Sequence, residues 1–359
     1  YPYYIGTTAS FFDAGYRADA EYAFLSRHWS MSPASFATLQ SDSDDQLADL
    51  IVPKLLTALR GAKLTPLQRI AEHDVGSWNR QMEVGSGSAS IWWTFWSDYL
   101  EAVFQPWWTA TRVPAALDQS GLSVGPDQFS LDEVLEAWTL GDQQNAAFTP
   151  PAPAVGKSVS VQPAATPAET MMRTAFISAV QQLSSLLGGG PGRWQWGKLH
   201  TRQFPSLTAA QALGYGPRAA SGDIWTVDAA EGGMNSEIGP SWRMIAWWSR
   251  AGQPVAEAIY PGGQSENPAS PWYANLVGDW WADTYLPMPA AGGPAAASVP
   301  GSAGGAAGGA AGTAAGGSAG TAAGGSAGTA AAGSAGTAAG SAASGAAGSG
   351  QLTFWELLP

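Results

Sequence analysis

Apolar residues fall at helical spacing through much of the first hundred residues, and in short β-like runs between turn residues after residue 193. Residues 1–12, YPYYIGTTASFF, have no helical period and read as extended or loop. A helix is predicted from Asp13 to about His28. A second element starts at Ser32-Pro33, a capping residue followed by proline in the first turn. Residues 46–60 set Leu47, Leu50, Ile51, Leu55, Leu56 and Leu59 on one face, with Pro53 expected to kink or restart the helix. Thr65-Pro66 opens a short helix over 65–74, and 88–104, SASIWWTFWSDYLEAVF, reads as a very aromatic helix. Residues 1–110 are therefore expected as a helical block.

Between 111 and 192 the pattern is weaker. Ser130 followed by Glu133 is a capping box and predicts a helix over 130–140. Residues 149–168 are Pro- and Ala-rich and read as loop. A helix is predicted over 168–187, stopped by GGGPG at 188–192. From 193 to 288 short runs separated by Gly, Pro, Asn and Asp predict antiparallel strands at 194–196, 224–227, 242–248 and 256–260. Residues 289–350 are low complexity, with near-identical GSAGTAAG units starting at Gly317, Gly325 and Gly333. Such a tract buries too little apolar surface to offset its ordering entropy and reads as a linker. A short amphipathic tail, QLTFWELLP, occupies 351–359.

Composition narrows the function. Lys plus Arg is 16 against 28 Asp plus Glu, a net charge of −12 over 359 residues, which removes the electrostatic footprint that nucleic-acid binding needs. The absence of Cys excludes disulfides, thiolate metal sites and a thiol nucleophile. No run of eighteen apolar residues is present, so no membrane-spanning helix is expected. The chain opens on Tyr1, and it is expected to be a processed or truncated piece of a longer protein.

Candidate chemistry is sparse. His28, His73 and His200 lack metal-ligand spacing and read as structural. Asp42, Asp44 and Asp45 lack the glycine and final glutamate of a calcium loop and read as a solvated helix start, with Asp45 placed well against the helix dipole. No G-x-S-x-G elbow occurs, and GSGSAS at 85–90 lacks the strand–turn–helix setting of one. The 18 Trp read mainly as core packing, Trp92, Trp93 and Trp96 among them.

Three strings stand in order near the end of the folded part: Trp194-Gln195-Trp196-Gly197-Lys198-Leu199-His200, then Gly239-Pro240-Ser241-Trp242-Arg243-Met244, then Gly262-Gly263-Gln264-Ser265-Glu266-Asn267-Pro268-Ala269-Ser270-Pro271-Trp272-Tyr273, followed by Trp281 and Tyr285. Upstream, Arg17, Leu39-Gln40-Ser41-Asp42 and Trp78 fall in the matching order. The series resembles the penicillin acylase family of N-terminal nucleophile hydrolases over about residues 1–288. Glu266 stands where that family usually has glycine. The resemblance implies an α+β fold, part of a four-layer αββα architecture with the helical block first and the antiparallel strands last. It also implies an amidohydrolase that acts through an acyl-enzyme on the N-terminal Ser of a self-cleaved β chain, whose α-amine takes the proton and whose oxyanion is held by a backbone N–H and an Asn.

On that resemblance Arg17 is the one site residue carried over, an arginine that orders the nucleophile site. Nucleophile and oxyanion Asn are expected upstream, so the chain alone is expected to be inactive. The implied partners are the remainder of the acylase precursor and a small amide substrate: an N-acyl amine, a β-lactam side-chain amide or an acyl-homoserine lactone. No cofactor is expected. The family's calcium ligands lie mostly upstream, and the aligned place around Gly6 has no carboxylate. Export to the periplasm or beyond is expected. The loop 262–273, Arg243 and His200 read as support, not acid–base groups. The alternative is a non-catalytic secreted or surface binding protein that reuses the scaffold, tethered by its Gly/Ala tail.

Overall fold

The computed structural model describes residues 14–27, 30–111, 116–117, 123–124, 128–150, 161–206, 208, 210, 213–230 and 234–288. The expectations for Asp13, His28, Gly6, the linker and the C-terminal tail lie outside these residues. Helices come first: α1 Tyr16–Arg27, α2 Pro33–Gln40, α3 Gln46–Leu59, α4 Pro66–Ser77 and α5 Gly87–Thr111. Two short strands, β1 Ala116–Leu117 and β2 Ser123–Val124, precede α6 Gln128–Gly141 and α7 Pro167–Leu187. The strands β3 Thr201–Phe204, β4 Tyr215–Ala219, β5 Asn235–Ser236, β6 Arg243–Trp248 and β7 Pro254–Ile259 follow, then α8 Val277–Trp281 and β8 Leu286–Met288. The fold class is α+β, as the family resemblance implies, and the described residues up to Met288 fall in one compact unit.

Local chemistry sets most helix starts. Ser32 caps α2, Thr65 caps α4 and Thr166 caps α7, each in a reciprocal box with the residue three positions on and each followed by Pro. Asp45 caps α3, its Oδ1 accepting the Ala48 N–H at 2.8 Å. Gly188, at φ +64°, ends α7. Pro53 sits inside α3, which runs through it to Leu59 without restarting. The structure corrects one helical expectation. Helix α6 begins at Gln128, so Ser130 lies in its first turn and is not its cap.

Helix α5 packs on α7 and α4, and α3 packs on α7, α6 and α4. Along α5, Trp92, Trp93, Phe95, Trp96, Tyr99, Val103, Phe104 and Trp108 are all buried. That is too wide a face for an amphipathic period and marks α5 as the central helix. Trp92 stacks on Trp96 at 5.6 Å and Phe95 on Tyr99 at 5.8 Å. Each fully buried side chain of this size contributes roughly 1.5–3 kcal/mol. Arg173 of α7 donates to the Ala58 and Arg60 carbonyls, satisfying the C-terminal end of α3.

The strands form two small sheets beside the β1–β2 pair. In the first, β3 pairs antiparallel with β4 and parallel with β5, through Thr201↔Asn235 and Arg202↔Ser236. In the second, antiparallel order β6-β7-β8 is fixed by Arg243↔Ile259 and Ala256↔Met288. Ile259, Leu276 and Trp280 form the core of this part. Two predicted strands are not strands. Residues 194–196 lie in and between two 3₁₀ turns that bury both indoles, which donate to Gly188 O and Gly222 O at 3.0 Å. Residues 224–227 are a turn: Asp223 Oδ1 accepts the N–H groups of Trp225 and Thr226, which a strand would have paired. Strands β4 and β8, at sheet edges, contain Pro217 and Pro287, which hid them in the sequence. Among the described residues no helix is long and apolar enough to cross a membrane.

Candidate functional site

The predicted site residue, Arg17, lies in the first turn of α1, and its neighbour Tyr16 anchors that turn. Tyr16 is 4% exposed, donates from its phenol to Glu136 of α6, and meets Trp225 edge-on at 5.4 Å. Burial, then the Glu136 bond, raises the Tyr16 pKa far above the usual phenol range, so the group remains a donor. With Tyr16 pinned inward, Arg17 lines a cavity of about 270 Å³ shared with Ala14, Gly15, Tyr16, Ala18, Glu21, Ile224, Trp225 and Val227. The charged groups of this lining are Arg17 and Glu21. A guanidinium here can hold a carbonyl or carboxylate oxygen through paired N–H groups, against the indole wall.

The second wall, residues 223–230, is held by short-range turns and by long-range polar ties. Thr226 Oγ1 donates to the carbonyls of Asp223 and Asp228, and Ala230 N–H donates to Asp223 O at 2.8 Å. Asp228 N–H donates to Asp42 O at 2.9 Å, joining this wall to the Leu39–Asp42 string. The Asp228 carboxylate lies 2.7 Å from Arg243 and 3.5 Å from Arg202. Arg243 also binds the Asp283 carboxylate and the Trp280 carbonyl. Both guanidiniums lie over the Trp280 ring, at 5.2 and 4.6 Å. Gln40 accepts the Tyr285 hydroxyl at 2.6 Å and donates to Met244 O. Strings 200 residues apart in sequence thus meet behind one wall of the Arg17 cavity.

The acidic cluster is not a solvated helix start, as the sequence suggested. Asp45 is fully buried. Asp44 is half-buried, and burial, then the charges of Asp49 and Asp42, push its pKa up to about 6. Among the described residues no group of three acids or histidines is arranged to hold a metal ion. The buried Asp45 contacts Asp223, a residue the sequence analysis did not single out. The available signal was Gly222-Asp223-x-x-Thr226, an Asx-turn pattern that overlaps the start of the predicted 224–227 strand.

His200 and Arg243 are buried network members. His200 stacks on Trp196 at 4.8 Å, bonds Ala220 O through Nδ1 at 3.0 Å, and burial lowers its pKa to about 4. The 262–273 loop is a run of polar turns. Gln264 N–H donates to Trp272 O, Asn267 Oδ1 accepts the Ala269 N–H, and Gly263 has no room for a side chain, because a Cβ would lie 2.0 Å from Trp272 O. Glu266 accepts the Ser206 hydroxyl at 2.6 Å beside a cleft of about 360 Å³.

The family model described as penicillin amidase matches residues 1–293. The chain belongs to the penicillin amidase family. Its order of elements is helices first and strands last, and the parallel β3–β5 pair departs from the all-antiparallel expectation for 193–288. Among curated relatives, the acyl-homoserine lactone acylase QuiP of Pseudomonas syringae pv. tomato is 32% identical over 203 residues, 50% of this chain and 24% of that protein. QuiP of Pseudomonas fluorescens is 32% identical over 123 residues, 33% of this chain and 15% of the relative. The chain thus spans about a quarter or less of the length of these relatives. A solved penicillin G acylase from Alcaligenes faecalis aligns at 15% identity with a TM-score of 0.48, covering 80% of this chain and 52% of its own. This penicillin amidase chain is an amide-hydrolase family member, and the Arg17 cavity is its candidate site.

Proposed function

We propose that this chain supplies one wall of the active site of an acylase that cleaves the linear amide of N-acyl-homoserine lactones or of similar acyl amines. The observation that carries the reading is the family match over residues 1–293, joined to curated relatives that are acyl-homoserine lactone acylases. Arg17 is the site-ordering residue in this reading, which its place beside Trp225 in the lining of the cavity supports. The N-terminal nucleophile and the oxyanion Asn belong to the part of the relatives' length that these residues do not span. There the hydroxyl adds to the amide carbonyl, the α-amine takes its proton and passes it to the departing amine, and water then frees the fatty acid. The partner of the chain is the remainder of the acylase precursor, and the assembled enzyme works outside the cytoplasm.

The test compares release of homoserine lactone from an N-acyl-homoserine lactone by residues 1–359 alone and by these residues joined to the rest of the precursor. Turnover only in the second sample is expected. Arg17→Ala in the joined protein is expected to lower kcat/KM at least tenfold, about 1.4 kcal/mol of transition-state stabilisation. Hydrolysis by residues 1–359 alone, or an unchanged kcat/KM for Arg17→Ala, overturns this assignment.

A further inference from the structure

Beneath the cavity wall lie two carboxyl groups that no step of the proposed hydrolysis uses. Asp45 is 0% exposed and Asp223 is 1% exposed, and their carboxyl groups lie against one another. Two ionised carboxylates buried together repel and offer no proton to share. The other partners say which group carries the proton. Around Asp45, Oδ1 accepts the Ala48 N–H at 2.8 Å and Oδ2 accepts the Trp92 indole N–H at 2.5 Å. Both partners are donors, so Asp45 is the carboxylate. Around Asp223, Oδ1 accepts the N–H groups of Trp225 and Thr226, while Oδ2 is buried with no conventional donor pointed at it. A proton on Oδ2, donated to Asp45, satisfies that otherwise orphaned atom.

We propose that Asp223 is a neutral carboxylic acid donating to an ionised Asp45, and that this acid–carboxylate pair is the positioning device that fixes the 223–230 wall of the Arg17 cavity onto the helical block. The pair is placed for that role. Asp45 caps α3 and is held by α5 through Trp92. Asp223 begins the turn that carries Ile224 and Trp225, and Trp225 meets Tyr16 next to Arg17. One proton therefore joins α3, α5 and the cavity wall.

The surroundings favour a single negative charge on the pair, and the donors from Ala48 and Trp92, not the acid-rich neighbourhood, hold it on Asp45. Arg80 faces Asp45 from the segment between α4 and α5, and Asp45 N–H donates to Arg80 O at 3.1 Å. Asp44 and, beyond it, Asp42 stand on the same side, and Asp49 of α3 ion-pairs with Arg80 at 3.6 Å. Helix α5 brings Trp92, a neutral donor, and the turn itself brings Thr226. Burial and the neighbouring Asp45 charge both raise the Asp223 pKa well above the carboxylate range.

The stability consequence follows from linkage. A carboxyl whose folded-state pKa is raised binds its proton more tightly in the folded chain. Its contribution is complete below the unfolded value, about 3.9, and is lost as pH rises towards the folded value, by up to tenfold in the folding constant per pH unit.

That the wall serves a site rests on the reading above; the shared proton does not, and it is tested without any activity. Infrared spectra of the 359-residue chain at pH 7 are compared with those of Asp223→Asn and Asp45→Asn. The expected result is a protonated-carboxyl carbonyl band that is lost in both variants. The asparagine amide of Asp223→Asn replaces the O–H donor, so this variant is expected to keep the parent's unfolding midpoint at pH 7 and to lose the fall in midpoint between about pH 4 and neutrality. Asp223→Ala, without a donor, is expected to unfold at a clearly lower midpoint at every pH. Absence of the band from the parent, its survival in Asp223→Asn, or equal destabilisation by Asn and Ala overturns the proposal. Should Asp223→Asn not fold, the band in the parent and its loss in Asp45→Asn decide the matter.

Discussion

The helical block and the strand region bury polar groups in opposite ways. In the block, a carboxylate meets an indole: Trp92 donates to Asp45 and Trp96 to Asp132, both at 2.5 Å, inside an otherwise apolar packing of α3, α5 and α7. In the strand region the apolar core is small, Ile259, Leu276 and Trp280, and two buried arginines take over part of its work. Arg202 and Arg243 cover the Trp280 ring with their guanidiniums and are neutralised by Asp228 and Asp283. The first region is stabilised by area removed from water, the second by a closed set of charges whose members depend on one another. The candidate site lies where the two meet, with Tyr16 and Arg17 from the helices and Ile224 and Trp225 from the strand side.

The sharpest way to break this contrast is Trp92→Ala. It removes a fully buried ring from the centre of α5 and leaves Asp45 without its indole donor. The expected loss is about 3–5 kcal/mol, read from the urea midpoint of the 359-residue chain. A loss under about 1 kcal/mol means that the block is not held by its aromatic interior.

Next in size is Arg243→Ala, which takes the ion pair from Asp283, leaves Asp228 only the longer contact to Arg202, and uncovers one face of Trp280. Removing one partner of a buried pair costs about 3 kcal/mol. Arg243→Lys is expected to recover little, because an ammonium cannot span both carboxylates and stack on the indole. Recovery of most of the stability by lysine would show that only the charge matters there.

His200 connects the two regions and makes the contrast depend on pH. Its ring stacks on Trp196 while Nδ1–H donates to Ala220 O. Burial is the main cause of its lowered pKa, about 4 against an ordinary 6.5. The unfolded chain therefore binds more protons than the folded one between these values. Stability from this group is complete above about pH 6.5 and is lost as pH falls through 4, by about 3 kcal/mol in all. His200→Asn keeps a donor for Ala220 O and removes that part of the acid slope. An unchanged slope in the variant would assign acid sensitivity to other groups.

These differences also explain what was legible in the sequence. The helical block was readable because its signals are local: Ser32-Pro33 and Thr65-Pro66 are caps, and α3 shows its apolar face in one window. The strand region was readable along β6 and from Ala256 in β7, and unreadable at β4 and β8, where Pro217 and Pro287 broke the pattern. The run 224–227 looked like a strand because side-chain composition does not reveal that Asp223 has already taken two of its N–H groups. The site was the least legible part. Arg17 came from a family resemblance, while Tyr16, Asp223 and Asp228 matter through contacts with residues far away in sequence, Tyr16 meeting Trp225 and Asp228 N–H reaching Asp42 O. The acidic run 42–45 shows the limit most clearly, since adjacent aspartates that look equally solvated divide into a buried cap and half-exposed neighbours only once α5 and the 223–230 turn close over them.

The smallest expected effect sharpens the comparison through a single residue type. Trp248, at the end of β6, is 74% exposed, and its strand neighbour Met244 is 47% exposed, while Arg243 and Ile245 point into the core. The alternation means that Trp248 stands on the solvent face of the sheet, cross-strand from Pro254. Trp248→Ser should change the stability of the 359-residue chain by no more than about 0.5 kcal/mol, since little area is removed from water at this position. The same ring chemistry thus gives an effect several-fold smaller than at Trp92, and urea titrations of the two variants side by side measure the ratio. A loss of more than about 2 kcal/mol at Trp248 would show that the sheet face is covered in solution, and would make the strand region, like the helical block, dependent on buried aromatic area.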